Sequence, residues 1–203
     1  MLASRRRAVQ QVQCAGHVHI VRTAGFILRT PTQSESRIAA AGASDDQAQR
    51  WLGWSAECIF AETHRAPLLA SPADGLERPG VPPLVAPGRL VALDPKLVTV
   101  AGEVAITVQP DGAYVGGWLV PRYRGRGLGR ELFTAALILG HRHLGIEVLR
   151  AGAQESNTAS RKSLEAAGFR PAQGDPTHRL SDGRIIPSCW YEHSAAASDC
   201  RTP

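Results

Sequence analysis

The stretch that decides the fold is PRYRGRGLGRELFTAALILG, residues 121–140. Its first half interleaves arginine and glycine. Its second half places apolar side chains at near-helical spacing, with residues 128, 132, 136 and 139 on one stripe that Leu144 extends toward a stop at Gly145. A loop that becomes a helix leaves its first backbone N–H groups without intrahelical acceptors, and together with the helix dipole they form an anion site. Gly125, Gly127 and Gly129 keep Cβ atoms away from phosphate oxygens, while Arg122, Arg124, Arg126 and Arg130 bring positive charge. The expected ligand is a polyphosphate.

What precedes the loop narrows the choice. GRLVALDP (88–95) and VTVAGEVAITV (98–108) read as strands, with Val100, Val104, Ile106 and Val108 on one face and Thr99, Glu103 and Thr107 on the other. QPDG (109–112) is a turn, and AYVGGWLV (113–120) returns as a strand whose paired glycines permit a bulge or a close backbone approach. The loop therefore follows an antiparallel hairpin. A dinucleotide fingerprint needs a parallel-sheet unit before it, and a P-loop needs a lysine and a hydroxyl that are absent here.

Farther out, HVHIVRTAGFILRT (17–30) reads as a strand interrupted at Gly25 and ended by Pro31. Thr32 caps a first helix through Ala41, and Ser44 with Asp45 and Asp46 starts a second running into Trp51. Six prolines between residues 66 and 88 mark a long loop. Downstream, residues 146–152 form a strand, and Ser156 or Asn157 opens a helix that Gly168 closes before the strand at Phe169. THRLSDGRII (177–186) is a hairpin, with Asp182 and Gly183 suited to a type I′ turn. The His141/His143 pair lies in a helix, where residues two apart point away from each other, so no metal is assigned.

The 203 residues fit one domain, assigned to residues 18–193, with residues 1–17 and 194–203 as flexible leader and tail. No apolar run approaches the roughly 18 residues of a membrane span, and the start lacks the apolar core of a secretory signal. The expected location is the cytoplasm. Cys14, Cys58, Cys189 and Cys200 form no CxxC pair, which disfavours a zinc knuckle or redox motif. The net charge of +5 favours anionic ligands only weakly. Nucleic acid binding ranks last, because the interleaved aromatics of a base-stacking surface are missing.

Two motifs together resemble the GCN5-related N-acetyltransferase (GNAT) superfamily. One is Arg124, Gly125, Arg126, Gly127, Leu128, Gly129, which matches its Arg/Gln-x-x-Gly-x-Gly/Ala loop. The other is NTASRKSLEAAGF (157–169), where Asn157, Ser160, Leu164, Glu165, Gly168 and Phe169 fit the ribosomal-protein-alanine acetyltransferase subgroup. The resemblance implies an α+β fold in three layers: a mixed, mostly antiparallel central sheet with one splayed parallel pair, flanked by helices. It implies acetyl-CoA as co-substrate, an amine acceptor, no membrane or nucleic-acid partner, and a homodimer as a reasonable assembly.

Carried over residue by residue, the resemblance puts the splayed pair at residues 114–120 and 147–151. Backbone groups of Leu119 and Val120 and the side chain of Asn157 would hold the pantetheine arm. The N–H groups from Arg124 to Arg130 would hold the pyrophosphate, with Lys162 near the 3′-phosphate. A backbone N–H near Val120 would hold the oxyanion, and Ser160 would assist the leaving thiolate, since Leu164 stands where many members have a tyrosine. Tyr114 replaces an acidic residue common in the subgroup, so Glu103, Tyr114 and His178 are the remaining candidates for acid–base work. The alternative is a non-catalytic acyl-CoA-binding regulatory module.

Overall fold

A computed structural model describes residues 11–15, 18–54, 88–96 and 99–195, so the expected loop at 66–87 lies outside the described residues, as do 1–10 and 196–203. Ten strands form one sheet: β1 (Gln11–Ala15), β2 (Val18–Arg22), β3 (Ile27–Arg29), β4 (Arg89–Asp94), β5 (Thr99–Gln109), β6 (Gly112–Leu119), β7 (Val148–Gln154), β8 (Arg170–Ala172), β9 (Thr177–Arg179) and β10 (Ile185–Ser194). Their spatial order is β1-β2-β3-β4-β5-β6-β7-β10-β8, with β9 on β10. Among the described residues every pairing is antiparallel except β6 with β7. Residues 11–15, expected in a flexible leader, form edge strand β1 because β2 offers them a continuous ladder from Gln11–Arg22 to Ala15–Val18.

Four α-helices are described: α1 (Gln33–Ala41), α2 (Asp46–Leu52), α3 (Gly129–Leu137) and α4 (Thr158–Ala167). The local chemistry of their ends is the one the sequence expects. Glu35 N–H donates to Thr32 Oγ1 at 3.3 Å and Thr32 N–H donates back to Glu35 Oε2 at 2.9 Å, a capping box that satisfies two donors at once. Ala48 N–H donates to Asp45 Oδ1 at the start of α2, and Ser160 N–H to Asn157 Oδ1 at the start of α4.

Alternation along β5 sorts the layers. Val104, paired with Gly117, faces α3, since a Cβ on Gly117 would lie 3.0 Å from Leu132 Cδ2. Glu103, paired with Trp118, faces α1, because Trp118 Nε1 donates to Ala39 O at 3.1 Å. The core therefore sits between the sheet and α3 with α4, where Val104, Leu132, Phe133, Leu149, Leu164 and Phe169 are buried together. The bend at Gly25 is tied into that layer, as its N–H donates to Glu131 Oε2 at 2.8 Å.

Two expectations need correction. The helix expected through Leu144 is α-helical only to Leu137 and continues as a π-helical segment, Ile138–His143. There His141 Nε2 lies 3.0 Å from His193 Nδ1, while the His143 ring meets His19 at 4.9 Å, so the two histidines do point to different neighbours. The late hairpin is not a two-residue type I′ turn. Leu180 N–H donates to Arg184 O and Gly183 N–H to Leu180 O, which makes a three-residue loop with Gly183 at φ 87°, the bulged solution whose twist also suits the strands. Replacing Leu132, 2 % exposed, with alanine is expected to cost about 2–5 kcal/mol, read as a lower denaturation midpoint at unchanged slope.

Candidate active site

The site begins where β6 and β7 part. Their parallel pairing holds for only two positions, Ala113 with Leu149 and Tyr114 with Arg150. Beyond them β6 runs on to Leu119 and β7 to Gln154. Hydrogen bonds in an antiparallel ladder alternate, so every second residue turns its polar groups to the neighbouring strand. Val120 N–H donates to Ala101 O at 2.9 Å, which assigns residues 114, 116, 118 and 120 to β5 and leaves Val115, Gly117 and Leu119 facing β7. On β7 the bond from Glu155 N–H to Pro187 O assigns odd-numbered residues to β10, so Gly152 and Gln154 face β6.

Past the last pair these two edges diverge into a wedge with unpaired backbone groups on both sides. The wedge is part of a cleft of about 770 Å³ lined by both strands, by the Arg-Gly loop, by α2 at Gln47 and Trp51, and by α4 at Asn157, Ser160 and Lys162. The sequence-expected Val120 N–H is the one that does not enter it, because the β5 ladder already uses that donor.

At the wide end of the wedge lies the loop. Pro121–Tyr123 form a single 3-10 turn, Gly125 and Gly127 adopt φ 69° and 73°, and α3 starts at Gly129. A Cβ at Gly125 or Gly127 would meet no atom within 4 Å, so the backbone conformation, not packing, calls for glycine there. Gly129 differs, since a Cβ on it would lie 2.5 Å from Ser163 Oγ, and its absence lets α3 pack against α4. Among the described residues, the N–H groups of residues 125–130 donate to no protein acceptor. These are the orphan donors of an anion cradle.

The four arginines divide. Arg122 is bound to Thr99 and to the Tyr123 hydroxyl, the latter at 3.0 Å. Arg124 is not aimed at the cradle with its charge: its guanidinium grips Asp45 at 2.6 and 2.7 Å, and its Nε donates to Leu119 O at 2.7 Å. It braces the loop against the N-cap of α2 and the end of β6. Arg126 and Arg130 remain exposed beside the cradle, with Lys162 exposed on α4.

Asn157 spends its Oδ1 on the cap of α4 and lines the cleft. Ser160 lines it too, and its hydroxyl bonds to no other described residue, unlike Ser163, whose Oγ donates to Ala159 O at 2.8 Å. Glu103 and Tyr114 are not brought to the cleft. Glu103 is fully buried on the α1 side of β5 with Arg89 Nη1 2.9 Å from its Oε1. Tyr114 sits at the closed end, where its hydroxyl donates to Asp111 Oδ2 at 2.7 Å and that bond pushes its pKa up. His178 lies exposed on β9. Trp51, whose sequence reading is core packing or a cleft wall, lines the cleft, and Gln47 is a lining residue that spacing did not reveal, because only the fold of α2 over the sheet brings it in.

The chain belongs to the GNAT acetyltransferases: the family model of an acetyltransferase (GNAT) domain matches residues 26–170. It is thus an acyltransferase. Its fold is similar to that of a GNAT-family acetyltransferase from Bacillus anthracis, at 13% identity over 86% of this chain and 98% of that one, with a TM-score of 0.64. It is also similar to a ribosomal-protein-S5-alanine acetyltransferase from Vibrio fischeri, at 16% identity, 91% and 97% coverage and a TM-score of 0.58. A spermidine N-acetyltransferase chimera from Vibrio cholerae and hSSAT shares 16% identity over 84% of this chain and 96% of that one, with a TM-score of 0.62. A comparison with curated proteins finds no match.

The brace is pH-dependent. The hydrogen bond from Arg124 holds the Asp45 carboxyl below its usual pKa of 3.8, so the unfolded chain binds the proton more readily. The stabilisation is present above that value and lost as pH falls through the lower folded one. The Asp45→Asn variant should lack this part of the acid transition, read as a flatter melting temperature below about pH 4. At neutral pH it should cost on the order of 1 kcal/mol.

Proposed function

We propose that the protein transfers an acetyl group from acetyl-CoA to a primary amine, the α-amine of a peptide or protein being the favoured acceptor. The observation that carries this reading is the wedge of unpaired backbone between β6 and β7, which runs into the N–H cradle at residues 125–130. An amide-bearing arm ending in a pyrophosphate is the ligand whose groups match both halves. When bound, acetyl-CoA supplies an acyl group as a thioester: the amine nitrogen bonds to its carbonyl carbon, the carbon–sulfur bond breaks, and coenzyme A leaves as the thiol.

The chain's own groups then have these tasks. N–H groups of residues 125–130 hold the pyrophosphate, and Arg126, Arg130 and Lys162 add charge around the phosphates. Leu119 N–H and the Asn157 side chain hold the arm. Gly117, whose N–H faces the wedge just past the last β6–β7 pair, takes the oxyanion role first expected near Val120. Ser160 donates its hydroxyl proton toward the departing sulfur, whose pKa near about 8.5 needs only modest help, and takes in its place the proton that the attacking nitrogen loses, so the net transfer runs from amine to thiol.

No Asp, Glu or His lines the cleft among the described residues, so Glu103 and Tyr114 have no part in this scheme. An acceptor that is already partly neutral removes the need for a strong base. At pH 7 roughly a tenth or more of an α-amine is neutral, against well under 0.1 % of a lysine. This is what favours the α-amine. This reading puts the reaction in the cytoplasm.

Calorimetry with acetyl-CoA, followed by thiol release and product mass with peptides, polyamines and aminoglycosides, tests the reading. Micromolar binding and turnover of a peptide α-amine are expected; binding without turnover across the panel would make the protein a non-catalytic module. Ser160→Ala should lower kcat at least about tenfold with little change in acetyl-CoA affinity. With an α-amine acceptor, the rate should climb with pH and level off above about pH 8 as the amine becomes neutral.

A further inference from the structure

Continuing the parallel register past Tyr114 and Arg150 sets Gly116 opposite Gly152, and Trp118 opposite Gln154. By strand alternation all six residues lie on the sheet face that carries Glu103, the face toward α1. The first position after the strands part therefore has no side chain on either edge. Neither glycine has a positive φ, so the backbone does not explain them. A Cβ at Gly116 would meet nothing within 4 Å, while one at Gly152 would lie 3.2 Å from the Trp190 indole.

This notch is walled by groups already fixed in place. At its closed end the Tyr114 and Trp190 rings meet at 6.0 Å, with the Arg150 guanidinium 5.9 Å from the indole. At its open end Trp118 packs edge-on against Trp54 at 4.8 Å. Both indole N–H groups are bonded, Trp118 to Ala39 O and Trp190 to Asp175 O, so the rings offer apolar surface. One polar atom is out of keeping with this wall. Gln154 Oε1 is buried and has no hydrogen-bond partner among the described residues, an arrangement that native structures rarely leave unused.

We propose that Gly116 and Gly152 form the port through which the acceptor's amine-bearing carbon enters the wedge from the α1 side, and that Gln154 Oε1 accepts a hydrogen bond from its nitrogen. The proposal rests on the acetyl-transfer reading above. It makes the two glycines specificity-determining residues: the room they leave sets how much substituent the amine-bearing carbon can carry, and the aromatic walls favour an apolar first segment. The donor's arm lies between the strand edges, in the plane of the sheet. A side chain at residue 116 would leave that plane and fill the port instead.

The test uses two probes on the full chain, acetyl-CoA itself and a conjugate in which the coenzyme A sulfur carries –CH2–CO–NH– joined to alanine amide. Gly116→Val is expected to weaken the conjugate by at least about tenfold while acetyl-CoA stays within about twofold, and Gly116→Ala to act in the same direction more weakly. Gln154→Met, which keeps length and removes the acceptor, should weaken the conjugate about fivefold and leave acetyl-CoA unchanged. Equal loss for both probes in the Gly116 variants, no loss for either, or a wild-type protein that binds acetyl-CoA but the conjugate far more weakly would each overturn the port. A wild-type protein that fails to bind acetyl-CoA would overturn the acetyl-transfer reading, and the port with it.

Discussion

The parting of β6 and β7 is the constraint on which the rest depends. A parallel pair normally satisfies its backbone along its whole length, and burying unpaired N–H and C=O groups without partners costs more than most single contacts return. Here pairing stops after Tyr114 and Arg150, yet both strands continue. Their outer neighbours make this possible: β5 holds β6 through Gln109–Gly112 to Gly102–Leu119, and β10 holds β7 through Ser188–Gln154 to Ser194–Val148. The wedge is open because each edge is anchored from behind.

Elements around the wedge are tied to it by a few polar contacts at the loop. Arg124 reaches Asp45 on one side and Leu119 O on the other, which ties the N-cap of α2, the end of β6 and the anion cradle together. Its charge serves geometry while Arg126, Arg130 and Lys162 are left exposed. On the opposite layer, Gly129 lets α3 approach α4 closely, which brings Ser160 and Asn157 to the same cleft as the loop. The cradle and the proposed acid group are thus held by the same helix pair.

Legibility from sequence followed the range of the interactions involved. Thr32, Asp45, Asn157 and Gly168 announced their helix ends because caps are made within a few residues. Residues 11–15 and the turn at Ser181–Gly183 were misread for the converse reason. An edge strand forms when a partner strand is offered, and the hairpin loop length is set by the register of β9 against β10.

The sequence by itself pointed to an anion cradle, since a loop that becomes a helix leaves its first N–H groups without intrahelical acceptors, and to the candidate co-substrate through two matched motifs. Only the tertiary structure decided which backbone groups remain for a ligand. That Val120 is taken by Ala101, that Arg124 is taken by Asp45, and that Glu103 lies sealed beneath α1 all depend on contacts between residues 14 to 79 positions apart along the chain. One strand's periodicity shows two faces and two edges, but it cannot say which is covered. Packing against distant segments makes that choice, and with it the difference between a polar group that holds the fold together and one that is free to bind.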